Sequence, residues 1–178
     1  MSGCSCLEES GTHGYTAIEL LVTIAVLAIV TAFAVPGMTA LVVRNRLAAQ
    51  ANEFVGALNY ARSEAVTRGQ AVALCPAQAP YAACANSSSW TGGWVVFADA
   101  GVANAIDDAA DVLRVFDELQ GGSTLNSHQV QVVRYLPNGF LDTVASPFAL
   151  RAGHCSGNDV RSIRISPQGR PLVSVAAC

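Results

Sequence analysis

Lysine is absent from this chain of 178 residues: its ten basic residues are all arginine, set against 13 acids, for a formal charge of −3. No overall positive field exists to hold a polyanion, so any contact with nucleic acid has to be local. Charged residues reach only 13%, about half the share in an average soluble domain. Several reactive patterns are also missing: there is no Gly-rich phosphate loop, no G-x-S-x-G, no H-E-x-x-H and no C-x-x-C. No nucleophile, base and orienting group emerge together, so neither an enzyme nor a cofactor is expected. Apolar residues make up 52%, which excludes an intrinsically disordered chain. The length suits one domain with an appendage.

What the chain does have is a long apolar run. From Leu20 to Val35 it reads LLVTIAVLAIVTAFAV, with no charge and only Thr23 and Thr31 as polar interruptions. Taken from Tyr15 to Pro36 as a helix, the segment would measure about 33 Å, close to the hydrocarbon thickness of a bilayer. It is too long for the apolar core of a signal peptide. It also holds Glu19, and a carboxylate in hydrocarbon is expensive enough to demand a function and a partner.

Beyond Pro36 and Gly37 the pattern turns amphipathic. Leu47, Ala51, Phe54, Val55, Leu58, Ala61 and Ala65 recur at helical spacing, with Arg44, Gln50, Glu53, Asn59 and Arg68 between them. Arg62, Ser63, Glu64 and Arg68 read as a polar helix face with mutual pairing. Gly69 suits a helix stop. Strands are then expected at Gln70–Cys75, Gly93–Ala98, Val112–Leu119, Val130–Leu136, Phe148–Arg151, Val160–Ile165 and Leu172–Val175, punctuated by Pro137-Asn138-Gly139 and Pro167-Gln168-Gly169. An antiparallel sheet wrapped on the second half of the helix buries both apolar faces, which makes the fold class α+β.

The segment Gly14-Tyr15-Thr16-Ala17-Ile18-Glu19 resembles the processing site of type IV pilins and type II secretion pseudopilins. The resemblance implies cleavage after Gly14 by a membrane prepilin peptidase, N-methylation of Tyr15, and a Glu19 that neutralises the terminal amine of a neighbouring subunit during assembly. Both charges are costly alone in lipid, so pairing between subunits favours ordered addition. Pro36 stands where many pilins carry a helix-kinking proline. The implied layout is a leader at 1–14, a transmembrane and assembly half at 15–36, an amphipathic half at 37–69 and a β-rich periplasmic domain at 70–178. The leader carries Glu8 and Glu9 without arginine, and Arg44 and Arg46 follow the span, so charge alone would place the large domain in the cytoplasm. The processing motif and the distal cysteines point instead to export from a bacterial inner membrane.

Ala61-Arg62-Ser63-Glu64-Ala65-Val66, Val72-Ala73-Leu74-Cys75-Pro76 and Trp90-Thr91-Gly92-Gly93-Trp94-Val95-Val96-Phe97 narrow the resemblance to the GspH/FimT/FimU family of minor pilins and pseudopilins. That implies a pilin-like fold and partnership with other pilins or pseudopilins in a filament. It leaves three roles open: a minor pilin of a type IV pilus, a minor pseudopilin of a type II secretion system, and a DNA-binding competence pilin. For the last, Ile165–Arg170 resembles FimT-type tails, and Arg161, Arg164 and Arg170 are the candidate DNA contacts, although Leu172 stands where a second tail arginine would be. Trp90 and Trp94 are read as packing residues. Cys4 and Cys6 fall in the leader, leaving Cys75, Cys84, Cys155 and Cys178 as disulfide candidates with three connectivities. The local pairing joins Cys75 to Cys84 and Cys155 to Cys178; zinc, with His154 beside Cys155, is the alternative. Asp99, Asn104, Asp107, Asp108 and Asp111 read as a solvated acidic loop, without the spacing of an EF-hand.

Overall fold

The computed structural model describes residues 14–77, 80–142, 147–155 and 157–178, with residues 34–37 described by backbone alone. Among the described residues one α-helix, α1 (Ala17–Arg68), is followed by eight strands: β1 (Val72–Pro76), β2 (Trp94–Ala98), β3 (Val112–Phe116), β4 (Thr124–Ser127), β5 (Val133–Tyr135), β6 (Phe148–Arg151), β7 (Val160–Ile165) and β8 (Pro171–Ala176). One compact unit ends at Leu41 and the other runs from Val42 to Cys178.

In the first unit the described side chains of α1 from Ala17 to Phe33 are exposed. Its two threonines satisfy themselves on the helix: Thr23 Oγ1 donates to the Leu20 carbonyl at 2.8 Å, and Thr31 Oγ1 to those of Leu27 and Ala28 at 2.9 and 3.0 Å. Neither hydroxyl needs water, so the stretch suits an apolar medium. By length and composition the helix can cross a membrane.

The second unit is built on the remaining turns of α1. Leu47, Ala51, Phe54, Leu58, Ala61 and Ala65, at alternating steps of four and three, are all buried, with Ala57 beside them. Gly69, in the left-handed region at φ +65°, ends the helix where the sequence places its stop. Gln50, grouped with the polar face by periodicity, is buried instead; its Nε2 donates to the Gln120 carbonyl at 2.8 Å.

Two antiparallel four-stranded sheets, ordered β3-β2-β1-β5 and β4-β6-β7-β8, replace the one expected. Both contribute to the core against α1. Its centre is Phe54, whose ring meets Trp90, Trp94 and Phe148 at centroid distances of 5.6, 5.1 and 5.0 Å. Edge-on and tilted geometries of this kind are favoured by the ring quadrupoles. Trp90 and Trp94 are thus packing residues, and Trp90 Nε1 donates to the Val130 carbonyl at 3.1 Å. The first sheet is covered on its other face too: Ala73, Cys75, Val95 and Phe97 pack with Tyr81, Cys84 and Ile106 of the loops beyond. β1 and β2 are therefore buried at every position.

The ends of the two sheets meet on the helix. Leu136–Phe140 and Ser166–Arg170 form matching turns, each closed by a glycine amide donating three residues back at 2.8 Å, with Gly139 at φ +78° and Gly169 at φ +77°. Arg62 Nε donates to the Gly139 carbonyl at 2.9 Å, and the Leu141 amide to that of Pro167 at 3.2 Å. A Cβ on Gly169 would clash with the Gly139 carbonyl oxygen and stand 2.9 Å from the Tyr135 ring. Burial pushes the Tyr135 phenol well above its ordinary range, with Arg62 pulling the other way.

Candidate assembly site

The first turn of α1 explains where Glu19 sits. Gly14, Tyr15 and Thr16 are exposed and non-helical, and the helix begins at Ala17. Thr16 caps it: its Oγ1 accepts from the Glu19 amide at 3.3 Å, while its carbonyl accepts from Glu19 and Leu20 at 3.1 and 3.2 Å. An acid in the first turn also faces the positive end of the helix dipole. The local sequence thus favours a helix start here on its own account. The Glu19 carboxylate is exposed and has no partner among the described residues. It is an anion on an apolar rod, free to meet a cation from another chain. Residues 1–13 of the expected leader, and the side chain of Pro36, where a kink was expected, lie outside the described residues.

In the distal unit the sulfurs are bonded in pairs, Cys75 with Cys84 and Cys155 with Cys178, across Cα separations of 5.5 and 5.9 Å. The first clasps the loop after β1 and the second anchors the segment after β8. All four thiols are consumed, so the zinc alternative has no thiolate to use.

The acidic loop is less solvated than its composition suggests. Asp99 is buried, pairs with Arg134 of β5, and accepts from the Asn104 amide at 2.9 Å. Arg134 also reaches Asp142 at 3.1 Å, and its pKa is raised, first by the bond to Asp99. Asp107 accepts from the Val102 amide at 2.8 Å, and Asp108 caps a short 3-10 turn at Ala109–Asp111. These carboxylates hold a loop in shape. The Asp99–Arg134 pair spans 35 positions, and no local pattern announces it.

Along the helix, Arg68 pairs with Glu64 at 2.6 Å while Arg62 turns away to the Gly139 carbonyl, so the polar cluster seen in the sequence serves structure. Of the three tail arginines, Arg161 is half-buried and donates to the Asn158 and Val160 carbonyls at 3.1 and 3.2 Å. Arg164, on β7, and Arg170, at the last turn, are exposed. The structure therefore leaves two of these groups outward-facing.

The family model described as type II transport protein GspH matches residues 50–169, which is most of the distal unit. Among solved structures, the chain is similar to the type IV minor pilin FimU of Pseudomonas aeruginosa strain PAO1. A crystal form in space group P21 gives a TM-score of 0.59 at 25% identity, covering 74% of this chain and 90% of that one. A second form, in P65, gives 0.53 at 24% identity over 70% and 89%. A search of curated protein sequences gives no match.

Proposed function

The chain belongs to the GspH family, and from that premise we propose that it is a minor pilin, a structural subunit added to a type IV pilus during assembly or priming. The observation that carries this is the exposed Glu19 in the first turn of an apolar, fully exposed helical stretch, joined in one chain to a family domain that resembles FimU. A single apolar helix ahead of such a domain fits an anchor in the inner membrane. On this reading a prepilin peptidase cuts between Gly14 and Tyr15 and the new terminal amine of Tyr15 is methylated. That amine, four residues ahead of its own Glu19, meets the Glu19 of an adjacent subunit. Residues 15–36 span the bilayer, with Pro36 bending the helix, and the domain lies in the periplasm. The likeness to FimU supports the pilus over the secretion role, and no observation favours DNA binding.

The experiment follows the chain from membrane to filament. Mass analysis of the protein recovered from membranes is expected to find it starting at a methylated Tyr15. Glu19→Ala is expected to lower its share of sheared filaments at least tenfold while membrane levels hold. Retention of residues 1–14, or unchanged incorporation of the variant, would overturn the reading.

A further inference from the structure

Among the described residues four buried side-chain polar atoms have no hydrogen-bond partner: Gln50 Oε1, Trp94 Nε1, Tyr135 Oη and Asp159 Oδ1. Trp94 and Tyr135 belong to the core, and Asp159 faces Arg44 at 3.8 Å. Gln50 differs, because it lines a groove. The groove, of about 630 Å³, runs between Arg46, Ala49, Gln50 and Glu53 of α1 and residues 114–120 opposite. Gln50 is 7% exposed. Its Nε2 is spent on the Gln120 carbonyl, which fixes the amide and leaves Oε1 as a buried acceptor without a donor. An unmet acceptor of this kind costs free energy that an incoming donor recovers.

The charges lining the groove point to the nature of that donor. Glu53, Asp117 and Glu118 stand against Arg46 and Arg114, leaving a formal charge of −1. Arg114 is committed to its own surroundings, 4.8 Å over the Phe116 ring and 5.7 Å from that of Tyr60. Arg46 lies against Gly121, where a Cβ would collide with its guanidinium. Asp117 accepts from the Tyr81 hydroxyl at 3.2 Å. Glu53 and Glu118, one on each wall, are exposed and form no ion pair among the described residues. Nor do the described residues gather three ligands fit for a metal ion, so these carboxylates are not a chelate. The chain's own guanidinium groups therefore stand at the groove and leave its acceptors unmet.

We propose that this groove receives a lysine side chain from a neighbouring, different pilin subunit. Its stem lies along Ala49 and Val115, and its ammonium donates to Gln50 Oε1 between the Glu53 and Glu118 carboxylates. This rests on the filament-subunit reading, and it names the kind of neighbour the distal unit meets. Lysine is the one basic side chain this sequence lacks, so a copy of the same chain cannot supply it. The contact is heterotypic by construction, as a subunit present in few copies among unlike neighbours requires. Charge recognition at such a site fixes partner and register more than it adds strength.

Carbodiimide coupling, which joins a carboxylate to a touching amine as an amide, tests this on sheared filaments carrying the full chain. Because no side chain here bears a primary amine, every lysine linkage identifies a foreign partner. Peptide mass analysis is expected to find Glu53 or Glu118 joined to a lysine of a different filament subunit. Ala49→Trp, which fills the groove from an exposed position, should lower that linkage and filament incorporation at least fivefold, whereas Ala49→Ser should change neither. Glu53→Gln with Glu118→Gln should lower incorporation to a similar extent, with the unfolding midpoint of the distal unit unchanged. Linkages only at acids outside the groove, coupling to the terminal amine of a second copy, or a linkage undiminished in Ala49→Trp would each overturn the proposal. If the groove linkage is absent while incorporation still depends on Glu19, only this contact falls; if incorporation does not depend on Glu19, the subunit reading falls with it.

Discussion

From Ala17 to Phe33 every residue of α1 except Glu19, Thr23 and Thr31 is apolar and every one is exposed, whereas between Leu47 and Ala65 a stripe of seven is buried and the rest is largely polar. The two stretches belong to one helix and obey different solvents. The second resolves its apolar face within the chain, against two sheets. The first is exposed among the described residues, and by length and composition it suits an apolar medium. Hydrophobicity by itself therefore does not mark the core here. What marks it is periodicity, and the absence of periodicity marks the surface meant for another phase.

Removing a ring from each stretch is the sharpest way to separate them. Phe54→Ala should cost the distal unit about 3–5 kcal/mol, because its ring is buried against three others and the cavity cannot collapse. Phe33→Ala, at a position 80% exposed, should leave the unfolding midpoint of that unit within error. Denaturant titration of the full chain in detergent, followed by tryptophan fluorescence, reads both; a comparable loss from Phe33→Ala would break the distinction. Cutting the tie after β8 comes next. Cys155→Ser with Cys178→Ser should lower stability by about 2–4 kcal/mol, more than removing the shorter Cys75–Cys84 loop, since the unfolded chain regains more freedom across 23 positions than across nine.

Smaller effects probe the turns beyond the helix stripe. Gly169→Ala should destabilise by about 1–3 kcal/mol, through a left-handed backbone and a clash with the Gly139 carbonyl, as measured by the same titration. Smallest at ordinary pH is the Tyr135 phenol. Its pKa is raised by folding, so the native state holds the proton more tightly than the unfolded chain, and this contribution is complete below pH 10 and shrinks above it. Stability should fall by about 1.4 kcal/mol per pH unit once pH passes 10, less in Tyr135→Phe, and pH titration of the unfolding midpoint checks the difference.

Most of this division could be read before any coordinates. The helix, its stop at Gly69, the buried tryptophans and seven of the strand regions follow from spacing and turn residues. β4 was missed because Thr124-Leu125-Asn126-Ser127 offers one apolar residue and no alternation; it becomes a strand by pairing with β6 and with residues 88–91. The split into two sheets depends on which strands find each other over long separations, which local pattern does not encode. Gln50 and Asp99 were misplaced for a related reason: each is buried because a distant partner, the Gln120 carbonyl or Arg134, satisfies it. At the proposed assembly site the motif named Glu19, and what the structure adds is that Thr16 caps the helix, leaving that carboxylate without a partner among the described residues.

The paired turns at Gly139 and Gly169 bear on mechanics as well as packing. Arg62 of α1 is fastened to the turn that ends one sheet, which is itself pinned to the hairpin closing the other. A displacement of the helix at Arg62 is therefore felt by both sheets through these two bonds, and neither turn can shift without the other.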